Sequence, residues 1–101
     1  MKSLIVTLLL LLTGCTEQQP ATEVIALTAS WCGPCKRNEP VIARLEKQGV
    51  KIRRVDIDEN PTLAAKYHVT SVPTYLVLRN GKEVKRTQNA GILARLLGRD
   101  Q

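Results

Sequence analysis

The stretch Trp31-Cys32-Gly33-Pro34-Cys35 constrains this chain more than any other. It follows the apolar run Val24-Ile25-Ala26-Leu27 and precedes a segment, Lys36 to Gln48, that reads as a helix. Strand, tight turn and helix in that order place Cys32 at a helix N-terminus. There the unpaired backbone N–H groups and the positive end of the dipole favour a thiolate over a thiol. The thiolate is the species that attacks disulfides, and such sites lower a cysteine pKa from its usual ~8.5 to near neutral or below. Two intervening residues let Cys35, one helical turn on, reach back and close a small disulfide with Cys32. Pro34 has φ pre-set near the helical value and lacks an N–H, so it suits the first turn. Gly33 is expected to let the chain bend sharply beside Cys32 and leave the sulfur uncovered. A C-x-x-C can also be half of a structural zinc site or a buried pair of thiols. Zinc would need two further ligands, and the chain offers only Cys15 and His68, far apart in sequence. The reading is thiol redox chemistry with no metal.

The N-terminus has a different character. Met1-Lys2-Ser3 supplies a basic start, and Leu4 to Leu12 is almost wholly apolar. That run is shorter than the ~20 residues a membrane-spanning helix needs and fits the apolar region of a signal peptide. Leu12-Thr13-Gly14-Cys15 closes it and resembles the lipobox of bacterial lipoproteins. The resemblance implies that residues 1–14 are a signal peptide and that Cys15 becomes an acylated N-terminus. Acyl chains at ~0.8 kcal/mol per buried CH₂ would hold the protein firmly to a membrane. Thr16 stands where an aspartate would signal inner-membrane retention, so the resemblance admits the outer membrane. The expected location is the bacterial cell envelope, facing the periplasm or the exterior. Residues 15–23, polar with Pro20, read as a lipid-anchored tether, and 24–101 as the folded domain. The formal net charge of +6 does not point to nucleic acid, because aromatic residues are only 3% and the chain reads as exported. The basic side chains read as a solvated surface near anionic lipid head groups.

Along the domain, Val24 to Thr28 is apolar enough for a strand buried on both faces, as in a parallel sheet. The helix after Cys35 carries Val41, Ile42 and Leu45 at helical spacing, with Pro40 inside it and Gly49 at its end. Val50 to Ile57 reads as a second strand, parallel to the first through the helical crossover. Asp58-Glu59-Asn60-Pro61 is a turn that caps a short helix, Thr62 to Tyr67. Tyr75 to Leu78 is a continuous apolar strand, and Asn80-Gly81 is a strong hairpin signal into a polar edge strand, Lys82 to Thr87. A last helix follows Ala90-Gly91, with Ile92, Leu93, Leu96 and Leu97 expected on one buried face and Gly98 at its end.

The active pentapeptide, Pro40 five residues after Cys35, the Asp-x-Asn-Pro turn and Pro73 together resemble the thioredoxin family, over roughly Val24 to Arg99. The resemblance implies an α/β, thioredoxin-like fold of order β-α-β-α-β-β-α, with a mixed four-stranded sheet and flanking helices. It is trimmed at the N-terminus, since Cys15 to Glu23 is too short for the strand and helix with which thioredoxins usually begin. It also implies that Pro73 is a cis-proline facing the cysteines. A cis bond there keeps a backbone N–H away from the thiolate and exposes Val72 for pairing with an extended substrate segment. Two positions depart from the family. Ala26 stands where thioredoxins carry a buried aspartate that helps move the second cysteine's proton, and Thr28 replaces a tryptophan. Glu39 is the nearest acidic residue in sequence.

By the same resemblance the chain is a thiol–disulfide oxidoreductase that needs no cofactor. Cys32 is the nucleophile, expected to be the more exposed sulfur, and Cys35 resolves the mixed disulfide. Trp31, Gly33 and Pro34 shape the site, and Val72 and Pro73 the substrate groove. Cys-Gly-Pro-Cys is similar to the reducing members, so the partners would be proteins bearing disulfides or thiols, with electrons from a membrane thiol carrier. The same exchange run backwards is an oxidation. The alternative is a non-catalytic thioredoxin-fold module for binding or assembly.

Overall fold

A computed structural model describes residues 21–98 of the chain. The signal segment 1–14, the lipidation candidate Cys15 and the tether up to residue 20 lie outside the described residues, as do 99–101. The elements are β1 (Thr22–Thr28), α1 (Gly33–Lys47), β2 (Ile52–Asp56), α2 (Pro61–Lys66), β3 (Thr74–Arg79), β4 (Lys82–Thr87) and α3 (Ala90–Leu96). This is the expected β-α-β-α-β-β-α order. The four strands form one sheet in the order β2-β1-β3-β4, with β1 parallel to β2 and the other two pairings antiparallel. Parallel β2 follows β1 through helix α1, the crossover that parallel strands require.

β1 starts two residues before Val24, because Thr22 and Glu23 pair with Arg79 and Leu78 of β3. The pairing is extended by Ala21, whose N–H donates to the Asn80 side chain while its carbonyl accepts from the Asn80 N–H. Polar residues expected in a tether are thus recruited by a neighbouring strand with unpaired backbone groups. Asn80 and Gly81 both have positive φ, +54° and +82°, the twisted two-residue turn that matches the twist of its strands. Past two paired positions, β4 bulges at Val84, so Val77 faces Lys85 while Leu78 faces Glu83.

Two apolar clusters lie on opposite faces of the sheet. Val24, Ala26, Tyr75 and Val77 pack under α1 and α3 with Ile42, Leu45, Ala90, Leu93 and Ala94. Ile25, Leu27, Val55, Leu76 and Leu78 form the other cluster with Ala64 of α2. Complete burial of a leucine such as Leu27, Leu45, Leu76 or Leu93 contributes about 1.5–3 kcal/mol each.

The last helix corrects one expectation. Its buried line is Ala90, Leu93 and Ala94, with Leu97 partly buried beside them, whereas Ile92 and Leu96 are 41% and 40% exposed. Four large residues at 92, 93, 96 and 97 span too wide an arc for a helix that touches the sheet along one stripe. The small Ala90 and Ala94 let α3 approach closely. Gly91 serves the cap of this helix: a Cβ there would lie 3.1 Å from the Asn89 side-chain oxygen that accepts the Ile92 N–H.

Candidate active site

Helix α1 begins at Gly33, earlier than the Lys36 expected from periodicity, because Cys32 is its N-cap. The Cys32 sulfur accepts the Cys35 N–H at 3.1 Å, the bond an N-cap oxygen would make to the third helical residue. Gly33 and Pro34 occupy the first two helical positions. Gly33 is in helical backbone, so the bend beside Cys32 does not depend on a glycine-only conformation. The turn comes from the extended backbone of Cys32 itself, φ −85° and ψ 108°.

Cys32 and Cys35 are joined as a disulfide, with their Cα atoms 5.3 Å apart. Both are buried, Cys32 at 3% and Cys35 at 9% exposure. Cys32 is therefore not the more exposed of the two in this oxidised state. Ala29, Ile57 and Val72 pack around the pair, and the cap bond draws the Cys32 sulfur in against the helix end. What distinguishes Cys32 is its electrostatic position at the N-terminus of α1, not its exposure.

Trp31 is 65% exposed beside the motif, and its indole N–H donates to Asp58 at 2.8 Å. In the sequence Asp58 reads only as part of a turn. The helix-capping role in that turn belongs to Asn60, which accepts the Leu63 N–H. Asp58, two residues past the end of β2, is free to orient the tryptophan. Opposite the cysteines the Val72–Pro73 peptide is cis, as expected. Val72 is half-buried against Cys32 and Cys35, and Pro73 is buried just before β3. The loop is held by the Thr74 hydroxyl donating to the Ser71 carbonyl at 2.7 Å, and by Gln88 bonding the Ser71 hydroxyl.

Behind Cys35 lies a cavity of about 30 Å³ lined by Ala26, Leu27, Thr28, Cys35, Glu39, Ile42, Arg54, Pro73 and Tyr75. No sequence signal marks Arg54 for this place. It lies on β2 opposite Ala26 and reaches under α1, donating two bonds to Glu39 (3.0 and 2.6 Å) and one to Glu46 (2.8 Å). Hydrogen bonding to Glu39 and then Glu46 raises the guanidinium's pKa, so it stays charged throughout. The Arg54 bond in turn holds the Glu46 carboxyl below the usual range. Tyr75 enters the cavity from β3, its hydroxyl accepting from Asn38 at 3.1 Å, and burial pushes that hydroxyl's pKa up.

A closable dithiol at a helix N-terminus, with a cis-proline loop over it, is the equipment of a thiol–disulfide exchanger. The comparisons with known proteins agree. The thioredoxin family model matches residues 16–97. The thioredoxin of Staphylococcus aureus strain Mu50 is 39% identical over 74 residues, covering 70% of this chain and 71% of that protein. Among solved structures, Fasciola hepatica thioredoxin is 35% identical with a TM-score of 0.74, covering 90% of this chain and 91% of its own. The thioredoxin NaTrxh of Nicotiana alata is 30% identical with a TM-score of 0.75, covering 94% and 86%. The chain belongs to the thioredoxin family. It is a thiol–disulfide oxidoreductase, and the non-catalytic alternative falls away.

Proposed function

We propose that this protein is an exported, membrane-anchored reductant of protein disulfides. The observation that carries the chemistry is the Cys32 sulfur accepting the Cys35 N–H at the N-terminus of α1, where a thiolate is favoured. Cys32 thiolate attacks one sulfur of a substrate disulfide, and the other sulfur leaves as a thiol after taking up a proton. The Cys35 thiolate then attacks the Cys32 sulfur, the bond from Cys32 to the substrate breaks, and the second substrate thiol departs. The protein is left oxidised and is returned to the dithiol by two electrons and two protons from a membrane thiol carrier. Val72 and Pro73 offer an extended substrate segment a surface beside the sulfurs. Reduction as the working direction is supported by the Cys-Gly-Pro-Cys sequence. The anchor is supported by the apolar run Leu4 to Leu12 followed by Leu12-Thr13-Gly14-Cys15.

Expression of the full chain as Cys35→Ser tests the chemistry. It should accumulate mixed disulfides with envelope proteins through Cys32, while Cys32→Ser accumulates none and loses disulfide reduction. Trapping through Cys35 in the Cys32→Ser variant would reverse the two roles. For the anchor, mass spectrometry of the membrane fraction should find residues 15–101 plus acyl chains. A soluble product cleaved elsewhere would rule the anchor out.

A further inference from the structure

The resolving step needs Cys35 as a thiolate, and Cys35 lies farther than Cys32 from the helix end that favours one. It is the third residue of α1, buried, with the cavity behind it. Of the residues lining that cavity, Glu39 alone carries a carboxylate. It lies one turn on from Cys35, at the spacing that puts two side chains on one helix face. A second, more open cleft brings the same two residues together again, lined by Thr28, Cys35, Lys36 and Glu39. Glu39 thus borders both the narrower space behind the sulfur and the more open cleft beside it. Its side chain is 49% exposed, so a proton it collects can pass on to bulk water.

The position of the carboxylate is determined from across the sheet. Arg54 grips both Glu39 oxygens from β2, and it can reach them because Ala26, its neighbour on β1, is too small to stand between them. The cavity that Ala26 leaves has room for a water, and Glu39 and Arg54 supply that water with an acceptor and a donor. The charged and titratable groups facing Glu39 are Arg54 from β2, Tyr75 from β3, and Lys36 with Cys35 from its own helix.

We propose that Glu39, held by Arg54, accepts the Cys35 thiol proton through a water in this cavity during resolution of the mixed disulfide. The proposal rests on Cys35 being the resolving sulfur. In the step the Cys35 S–H proton moves to the water as the water's proton moves to Glu39. The Cys35 electron pair then forms the bond to Cys32, and the bond from Cys32 to the substrate sulfur breaks. The substrate leaves as a thiolate, and Glu39 releases its proton to solvent through the open cleft.

The test is stopped-flow oxidation of the reduced full chain, in detergent, by an excess of dithiobis-nitrobenzoate, whose thiolate product absorbs visible light. Attack by Cys32 gives a first phase that scales with reagent concentration, and resolution by Cys35 gives a second that does not. Glu39→Gln should slow the second phase about tenfold or more near neutral pH, within the range of general-base assistance. The first phase should be unchanged. The deficit should narrow as pH rises, because alkaline solvent takes the thiol proton without help from the carboxylate. Ala26→Asp added to Glu39→Gln, a carboxylate entering the same cavity from β1, should restore part of the rate. An unchanged second phase in Glu39→Gln overturns the proposal, and so does an equal slowing of both phases at every pH. If Cys35→Ser keeps a second phase, the resolving role itself is misassigned and the proposal falls with it. If Cys35→Ser loses that phase and Glu39→Gln does not slow it, Glu39 alone is wrong.

Discussion

The two faces of the sheet are built to different rules. Under α2 the buried cluster is aliphatic: Ile25, Leu27, Val55, Leu76 and Leu78 with Ala64. Under α1 and α3 the same strands present Ala26 and Tyr75, and a small cavity opens among Glu39, Arg54 and Cys35. Successive residues of a strand point to opposite faces, so β1 can write Ile25-Ala26-Leu27 and satisfy both. The α2 face supplies dry packing. The α1 face accepts a smaller side chain and admits polar groups where the dithiol needs them. In this family member the polar groups near the dithiol enter from the α1 face, while the buried packing under α2 is apolar.

That division has measurable consequences. Leu76→Ala, on the dry face, should cost about 2–5 kcal/mol of stability by urea unfolding, the range for removing a fully buried leucine side chain. Its disulfide-exchange rate per folded molecule should hold. Ala26→Asp in the otherwise unchanged protein should cost less, about 1–3 kcal/mol, because a buried carboxyl finds only partial hydrogen bonding beside Arg54. If the order of these two losses were inverted, the distinction between the faces would not stand.

A smaller effect belongs to the rim of the site. Asp58→Ala removes the acceptor of the Trp31 indole N–H, worth about 0.5–1.5 kcal/mol for a typical hydrogen bond and toward the low end at an exposed position. Trp31 is the single tryptophan of the chain, so its fluorescence anisotropy should fall and report the freed ring directly. Unchanged anisotropy would mean that packing, not Asp58, positions it.

The smallest effect lies at the surface. Arg54 and Arg86 hydrogen bonds hold Glu46 and Glu83 below the usual glutamate range. A lowered folded-state pKa favours the folded protein wherever the carboxylate is charged. This stabilisation is full above the ordinary glutamate value of about 4.3 and is lost as pH falls through the lowered values. Urea midpoints should therefore fall on the acid side of pH 4, and added salt should flatten the drop. A drop that salt leaves unchanged would mean a buried group, on one of the two faces, is responsible.

Much of the architecture was legible because its signals are local. Helical spacing in α1, the Asn80-Gly81 turn and the capping turn before α2 are properties of neighbouring residues, and each element stands where its pattern lies. Boundaries moved where another element decided them. Thr22 and Glu23 became strand because β3 offered them partners, and α1 began at Gly33 because the Cys32 sulfur supplied the cap. In α3, Ile92 and Leu96 turned outward because the helix meets the sheet along one narrow stripe, and no periodicity within the helix says where that stripe falls.

The sequence by itself determined the chemistry: two thiols at a spacing that a disulfide can close, at the start of a helix that favours one of them as thiolate. It also determined the order of elements, since each is short enough for its own residues to specify. Only the tertiary structure decided what surrounds the sulfurs. Trp31 meets Asp58 across 27 residues, and Arg54 meets Glu39 across 15. Those meetings depend on strand register and on which face each side chain takes, quantities set jointly by distant segments when they pack. A one-residue slip of β2 would send Arg54 to the opposite face and leave the Glu39 carboxylate without its grip.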